Sequence, residues 1–351
     1  MSSHAKRGLR GSALRPVRAT SVATVGVGIY FDLRNPPGWR RPGAEVYRRA
    51  LELSARAESL GATSVWVSEH HLFEDGYVPQ PLTFLAAAAA RTSRVRLGTA
   101  VLLAPLRTAV NIAEEAAVVD LLSGGRLELG LGAGYRAPEF ELFDADRAAR
   151  WKTTDARVRE LRLIWAEAAV TPLPVQLPVP LWLGYQGPVA ARRAGKMGVG
   201  LLSLRPHLYG PYLEGLLAAG HPESAARTAG MIHAVISRDP ERSWPRLKPH
   251  LSYMWDSYAR YGVEGTAEAV PPPIDADQWR RLPEDAGSLP RFMIATPADA
   301  AARINRHLAG RPIQEVFFWT SIAGMPDDLV DEHVELVCRE LGPRLTEVDW
   351  V

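Results

Sequence analysis

The sequence predicts a single (β/α)8 barrel. Three observations lead there. Eight short apolar runs alternate with helix-patterned segments between residues 25 and 341. No glycine-rich phosphate turn follows the first run. Polar, aromatic and glycine residues concentrate just after the runs. Repeated βα units make a parallel sheet. Eight of them close it, and the missing turn argues against a doubly wound dinucleotide-binding sheet.

The elements follow in order. Residues 25–31 are nearly all apolar, as in a strand buried on both faces. Pro42 opens a helix to Leu60, with Val46, Ala50, Leu53, Ala57 and Leu60 on one face, and Gly61 stops it. Strand 63–68 precedes an alanine-rich helix at 80–91. Strand 95–103, helix 108–122 and strand 126–131 follow. A long helix at 147–168 and a proline-rich connector at 171–180 lead to strand 181–185. Pro188 starts the next helix, since proline suits a first turn. Strand 198–203, helix 209–219, strand 231–237 and helix 240–261 come next. Residues 262–290 are rich in proline and glycine and read as an insertion or lid. Helix 297–308, strand 315–319 and helix 327–341 finish the chain. Two regions result: a flexible basic tail at 1–20 and one barrel domain at 21–351.

Charge supports that division. The chain has 41 basic and 39 acidic residues, but its first twenty carry five basic side chains and no acid. The remainder is therefore slightly acidic at −3, which excludes a global basic face for nucleic acid. Hydrophobic content of 47% with 23% charged residues is that of a globular protein. A lone cysteine, Cys338, excludes an intrachain disulfide and any multi-cysteine metal site. No apolar run reaches the roughly 20 residues of a membrane span. The stretch 19–31 runs into Asp32 without a small-residue cleavage site, so a cytoplasmic protein is expected.

A barrel builds its site at the C-terminal ends of its strands. After the second strand stand Glu69, His70 and His71. Adjacent histidines point to different sides, so no metal is expected; one of them reaching the mouth can move protons near neutral pH. Gly132-Ala133-Gly134-Tyr135 follows the fourth strand, where small residues let backbone N–H groups approach a phosphate. Gly184 to Gly187, before the Pro188 helix, offers a second anion seat. Phe31, Tyr77, Leu103, Tyr135, Phe140, Tyr185 and Trp319 are the expected apolar walls for a small organic substrate. The five alanines at 86–90 permit close helix packing, within the barrel or against a second copy.

From residue 25 to 345 the chain resembles the bacterial luciferase-like monooxygenase family. The resemblance is carried by Val65-Trp66-Val67-Ser68-Glu69-His70-His71, Leu97-Gly98-Thr99-Ala100-Val101 and Asp120-Leu121-Leu122-Ser123-Gly124-Gly125-Arg126, with Trp255-Asp256-Ser257-Tyr258 and Gln278-Trp279-Arg280 later. It implies reduced FMN, or in some branches F420, at the barrel mouth. It also implies O2 activation through a C4a-peroxyflavin, a separate NAD(P)H flavin reductase and a homodimer. His70 and Glu69 are the implied catalytic residues. Ala100 and Val101 would lie beside the isoalloxazine, joined by a cis peptide as in relatives. Gly132, Ala133, Gly134, Tyr135, Tyr185, Gln186, Gly187, Val189, Ala190 and Ser203 would hold the rest of the cofactor. The chain departs from luciferase at Gly132-Ala133, where luciferase has Cys-Arg, so an arginine anchor for the phosphate is missing; Arg136 is the expected substitute. The Gly-Ala-Gly form resembles F420-using branches, so F420-dependent hydride transfer stays open. The depleted anchors also leave open a non-catalytic flavin-binding relative.

Overall fold

Eight parallel strands close into a barrel in the computed structural model, which describes residues 25–283 and 289–345. The tail at 1–20 and part of the insertion lie outside the described residues. The strands are β1 Gly26–Phe31, β2 Ser64–Val67, β3 Arg96–Thr99, β4 Leu102–Leu103, β5 Leu127–Gly132, β6 Leu181–Leu183, β7 Gly200–Leu202, β8 Thr228–Ile232, β9 Ala234–Ile236, β10 Met293–Ala295 and β11 Ile313–Trp319. The ring runs β3-β2-β1-β11-β8-β7-β6-β5-β4, and the β3–β5 pairing closes it. The helices are α1 Gly43–Leu60, α2 Pro81–Ala89, α3 Ala109–Ser123, α4 Ala137–Leu142, α5 Arg150–Ala166, α6 Pro188–Lys196, α7 Pro206–Ala218, α8 Pro240–Val263, α9 Ala276–Trp279, α10 Pro297–Leu308 and α11 Asp327–Glu335.

The barrel interior is filled around two tryptophans. Trp66 on β2 lies directly opposite Gly98 on β3, and Trp182 on β6 opposite Gly200 on β7. A Cβ at either glycine would come within 2.2 Å of the facing indole, so each large ring requires a glycine on the next strand. Trp66 also stacks on Phe317 with centroids 4.9 Å apart.

Three departures from the expected elements have physical reasons. The single strand expected at 95–103 is two pieces, β3 and β4, separated by the cis Ala100–Val101 peptide. At the break the Thr99 hydroxyl donates to Gly130 O at 2.7 Å and accepts from Gly130 N at 2.9 Å, so a side chain replaces a backbone rung. The strand expected at 231–237 divides at His233 into β8 and β9. β9 leaves the barrel and pairs with β10, a strand the pattern did not predict because only three residues of it follow the insertion. The short helix α4 is likewise additional. Its first turn carries Glu139, a residue the site depends on.

Among the described residues, no helix is long and apolar enough to cross a membrane, and no cluster of three or more His, Cys, Asp or Glu side chains could hold a metal.

Candidate active site

The C-terminal mouth holds a cavity of about 580 Å3, within the range of small-molecule sites, roughly 300–1,000 Å3. A recess of about 290 Å3 continues it, sharing Ala100, Val101, Gly184, Gln186, Met231 and His233. Val101 forms part of the floor, and two glycines shape it. A Cβ at Gly132 would come 2.2 Å from one Val101 methyl, and a Cβ at Gly184 would come 2.5 Å from the other. Neither position accepts a side chain without displacing the floor.

His70 lines this cavity with its ring fixed from behind. Glu139 Oε1 accepts from His71 N at 2.9 Å and contacts His70 Nδ1 at 2.8 Å. An oxygen already accepting one main-chain N–H takes its second hydrogen from Nδ1–H. Nε2 of the neutral imidazole is then the acceptor left for a ligand. Phe73 stacks on the ring at 4.7 Å, while Tyr77 and Tyr135 meet it edge-on at 4.8 and 5.4 Å.

Glu69 also borders the cavity, but its carboxylate is fully used. It accepts from Arg107, from Leu103 N at 2.8 Å and from His71 Nε2 at 2.7 Å. The expected catalytic carboxylate is therefore a brace that orients His71 and the β4 backbone.

A hydroxyl cluster forms the adjoining wall. Tyr30, Ser68 and Tyr77 make a closed triangle of hydrogen bonds, and Tyr258 donates to Tyr77 at 3.0 Å. Burial raises the Tyr77 and Tyr258 phenols well above the ordinary tyrosine range, so they stay protonated. Behind them, Arg34 pairs with Asp75 at 2.7 Å, both side chains fully buried. Burial also pushes Asp32 up to about 6, against the pull of Arg34.

Of the expected site residues, His70, Glu69, Tyr77, Ala100, Val101, Leu103, Gly132, Ala133, Gly134, Tyr135, Gln186 and Trp319 line the cavity, and Ser203 lines the recess. The others do not. Phe31 turns out of the barrel and packs on Phe84 at 5.6 Å; its neighbour Tyr30 faces the cavity, because successive strand residues point opposite ways. Phe140 lies behind Gly134, clustered with Leu103 and Leu106. Tyr185 is fully buried, donates to Asp155 at 2.6 Å and supports Trp151, which does line the cavity. Gly187, Val189 and Ala190 leave with α6, Val189 being 70% exposed. Arg136 is no phosphate anchor either. It is buried and bound to Glu264 and to the His71 and Leu72 carbonyls.

Sequence reasoning missed Tyr30, Ser68, Arg150, Trp151, Met231, His233, Trp255 and Tyr258 as lining residues. Arg150 matters most. It opens α5, its Nε is buried with no hydrogen-bond partner, and it is a lining residue with a guanidinium suited to phosphate. The insertion does not cover the cavity: none of its described residues lines it, and Trp279 reaches it only through Trp255, 5.0 Å away.

Comparison with known proteins agrees with this architecture. Residues 27–314 match the family described as luciferase-like monooxygenase. An F420-dependent glucose-6-phosphate dehydrogenase from Amycolatopsis mediterranei is 35% identical over 44% of this chain and 53% of its own. The oxygenase component of a flavin-dependent trigonelline monooxygenase from Acinetobacter baylyi is 29% identical over 52% of this chain and 54% of its own. The chain thus matches about half the length of these two curated relatives. The monooxygenase RslO1 from Streptomyces bottropensis shares the fold, with a TM-score of 0.76 at 23% identity over 91% of this chain and 99% of its own. The chain belongs to the luciferase-like monooxygenase family.

Proposed function

We propose that this protein is a flavin-dependent monooxygenase that uses reduced FMN and O2 to oxygenate a small organic substrate. The observation that carries this reading is His70, oriented by Glu139 and presenting Nε2 to an aromatic-walled cavity. The residues fit an isoalloxazine with a phosphate tail. Gly132 and Gly184 keep side chains off the Val101 floor, and the buried, unpartnered Nε of Arg150 supplies a donor of the right charge. Arg150, Gln186 and Ser203 would hold the ribityl phosphate end, and Ala100 and Val101 the ring. When bound, the flavin supplies the electrons that activate oxygen. His70 Nε2 takes or returns the substrate's proton, while Glu139 stabilises the imidazolium that forms. Phe73, Tyr77 and Trp255 keep bulk water from the reacting centre.

The Acinetobacter relative is named an oxygenase component, which supports a separate NAD(P)H flavin reductase as partner. Exposed Val110, Val118, Leu121 and Leu122 on α3 support a homodimer, which light scattering would measure. A second reading, F420-dependent hydride transfer, is favoured by Gly132-Ala133-Gly134 and by the Amycolatopsis relative. Parallel anaerobic titrations with reduced FMN and reduced F420 separate the two. The expected result is tighter binding of FMN and substrate-dependent oxygen uptake with a flavin reductase. Binding of F420 alone, without oxygen uptake, would overturn the monooxygenase reading.

A further inference from the structure

The proton count of the hydroxyl cluster points to the substrate. Tyr30 donates to Ser68, Ser68 to Tyr77 and Tyr77 to Tyr30, while Tyr258 donates to Tyr77. Four hydroxyls share four hydrogen bonds, so every proton is used once and the cluster has no free donor. Its free capacity is acceptor capacity, at the Tyr258 oxygen, to which no described residue donates. His70 Nε2 is also an acceptor, and the two rings stand 6.2 Å apart. Two neighbouring acceptors at a cavity wall call for a ligand group that donates. The surrounding rings of Tyr135, Trp255 and Trp319 call for a flat apolar body.

We propose that the substrate is a hydroxylated aromatic whose O–H is received by His70 Nε2 and Tyr258, and that Tyr258 is a specificity residue for that hydroxyl. This rests on the monooxygenase reading for its chemistry but not for its binding. Tyr135, edge-on to His70, can return a hydrogen bond to the same oxygen. An aldehyde, ketone or ester offers only acceptors to this wall and leaves both protein acceptors unpaired.

Calorimetric titration of the full-length protein with 4-ethylphenol and with its methyl ether, 4-ethylanisole, tests this, with and without saturating FMN. The expected result is tighter binding of the phenol, by about tenfold. Tyr258→Phe should cut that ratio to about threefold without changing ether affinity, and His70→Gln should bring it near one. Equal affinities, binding of neither aromatic, or a ratio unmoved in both variants would overturn the proposal. Failure of the flavin reading is a separate signal: no heat on FMN addition, with the phenol preference intact.

Discussion

The two ends of the barrel use the same residue types to opposite effect. At the N-terminal end, Glu315 accepts from Ser64 and Thr63, Trp66 donates to Ser64 at 2.7 Å, and Trp182 donates to Glu128, which also pairs with Arg96. At the C-terminal end, hydrogen-bonding capacity is left over: Asp32 Oδ2 and Arg150 Nε are buried without partners, and Tyr258 accepts nothing. Buried polar groups are normally paired. A set left unpaired at one end only, around a cavity, marks where a ligand completes the structure; the paired end is scaffold.

Substitutions can break that contrast, in decreasing order of effect. His70→Ala at the open end should lower kcat by roughly 100- to 10,000-fold while the melting temperature stays nearly constant; steady-state oxygen uptake and calorimetry read the two. Arg150→Met should weaken FMN binding by roughly 10- to 100-fold, the loss of a charge-assisted phosphate contact, measured by fluorescence titration. Glu315→Gln at the closed end should leave kcat unchanged and alter stability with pH. Burial pushes Glu315 up to about 7 from the ordinary 4.5. The folded state therefore holds its proton longer than the unfolded chain. Below pH 4.5 there is no difference; stability falls as pH rises toward 7, and the loss is complete above it. Denaturant titrations from pH 4.5 to 8 should show this fall shrinking by roughly 2 kcal/mol in the variant. Val189→Ala should change neither FMN affinity nor stability by more than about 0.5 kcal/mol, since the side chain is exposed beside α6.

Legibility divides along the same line. Strand β1 and helix α1 could be read because one apolar run and one repeating face suffice to define them. His70 could be read because it directly follows a recognisable strand. Glu139 could not: it stands sixty-nine residues away on a six-residue helix with no periodic signal of its own. Tyr30 was displaced by its neighbour Phe31, since a strand buried on both faces gives no alternation to say which side chain points inward. Arg150 looks like any helix-start arginine until the fold removes its partners. The break at Thr99 depends on a hydroxyl meeting a strand that arrives thirty-one residues later.

The insertion was described above as standing clear of the cavity, and that has a practical use. Its start is clamped by Arg136 on Glu264, and its later part by Ile274 N on Asp256 at 2.8 Å and Lys248 on Asp277 at 2.5 Å. Between these clamps residues 267–273 are all exposed. Chain held at both ends and buried nowhere tolerates added length. That loop is a splice point, where an affinity tag, a dye-labelled cysteine or a tethered reductase can be inserted with the catalytic mouth left undisturbed.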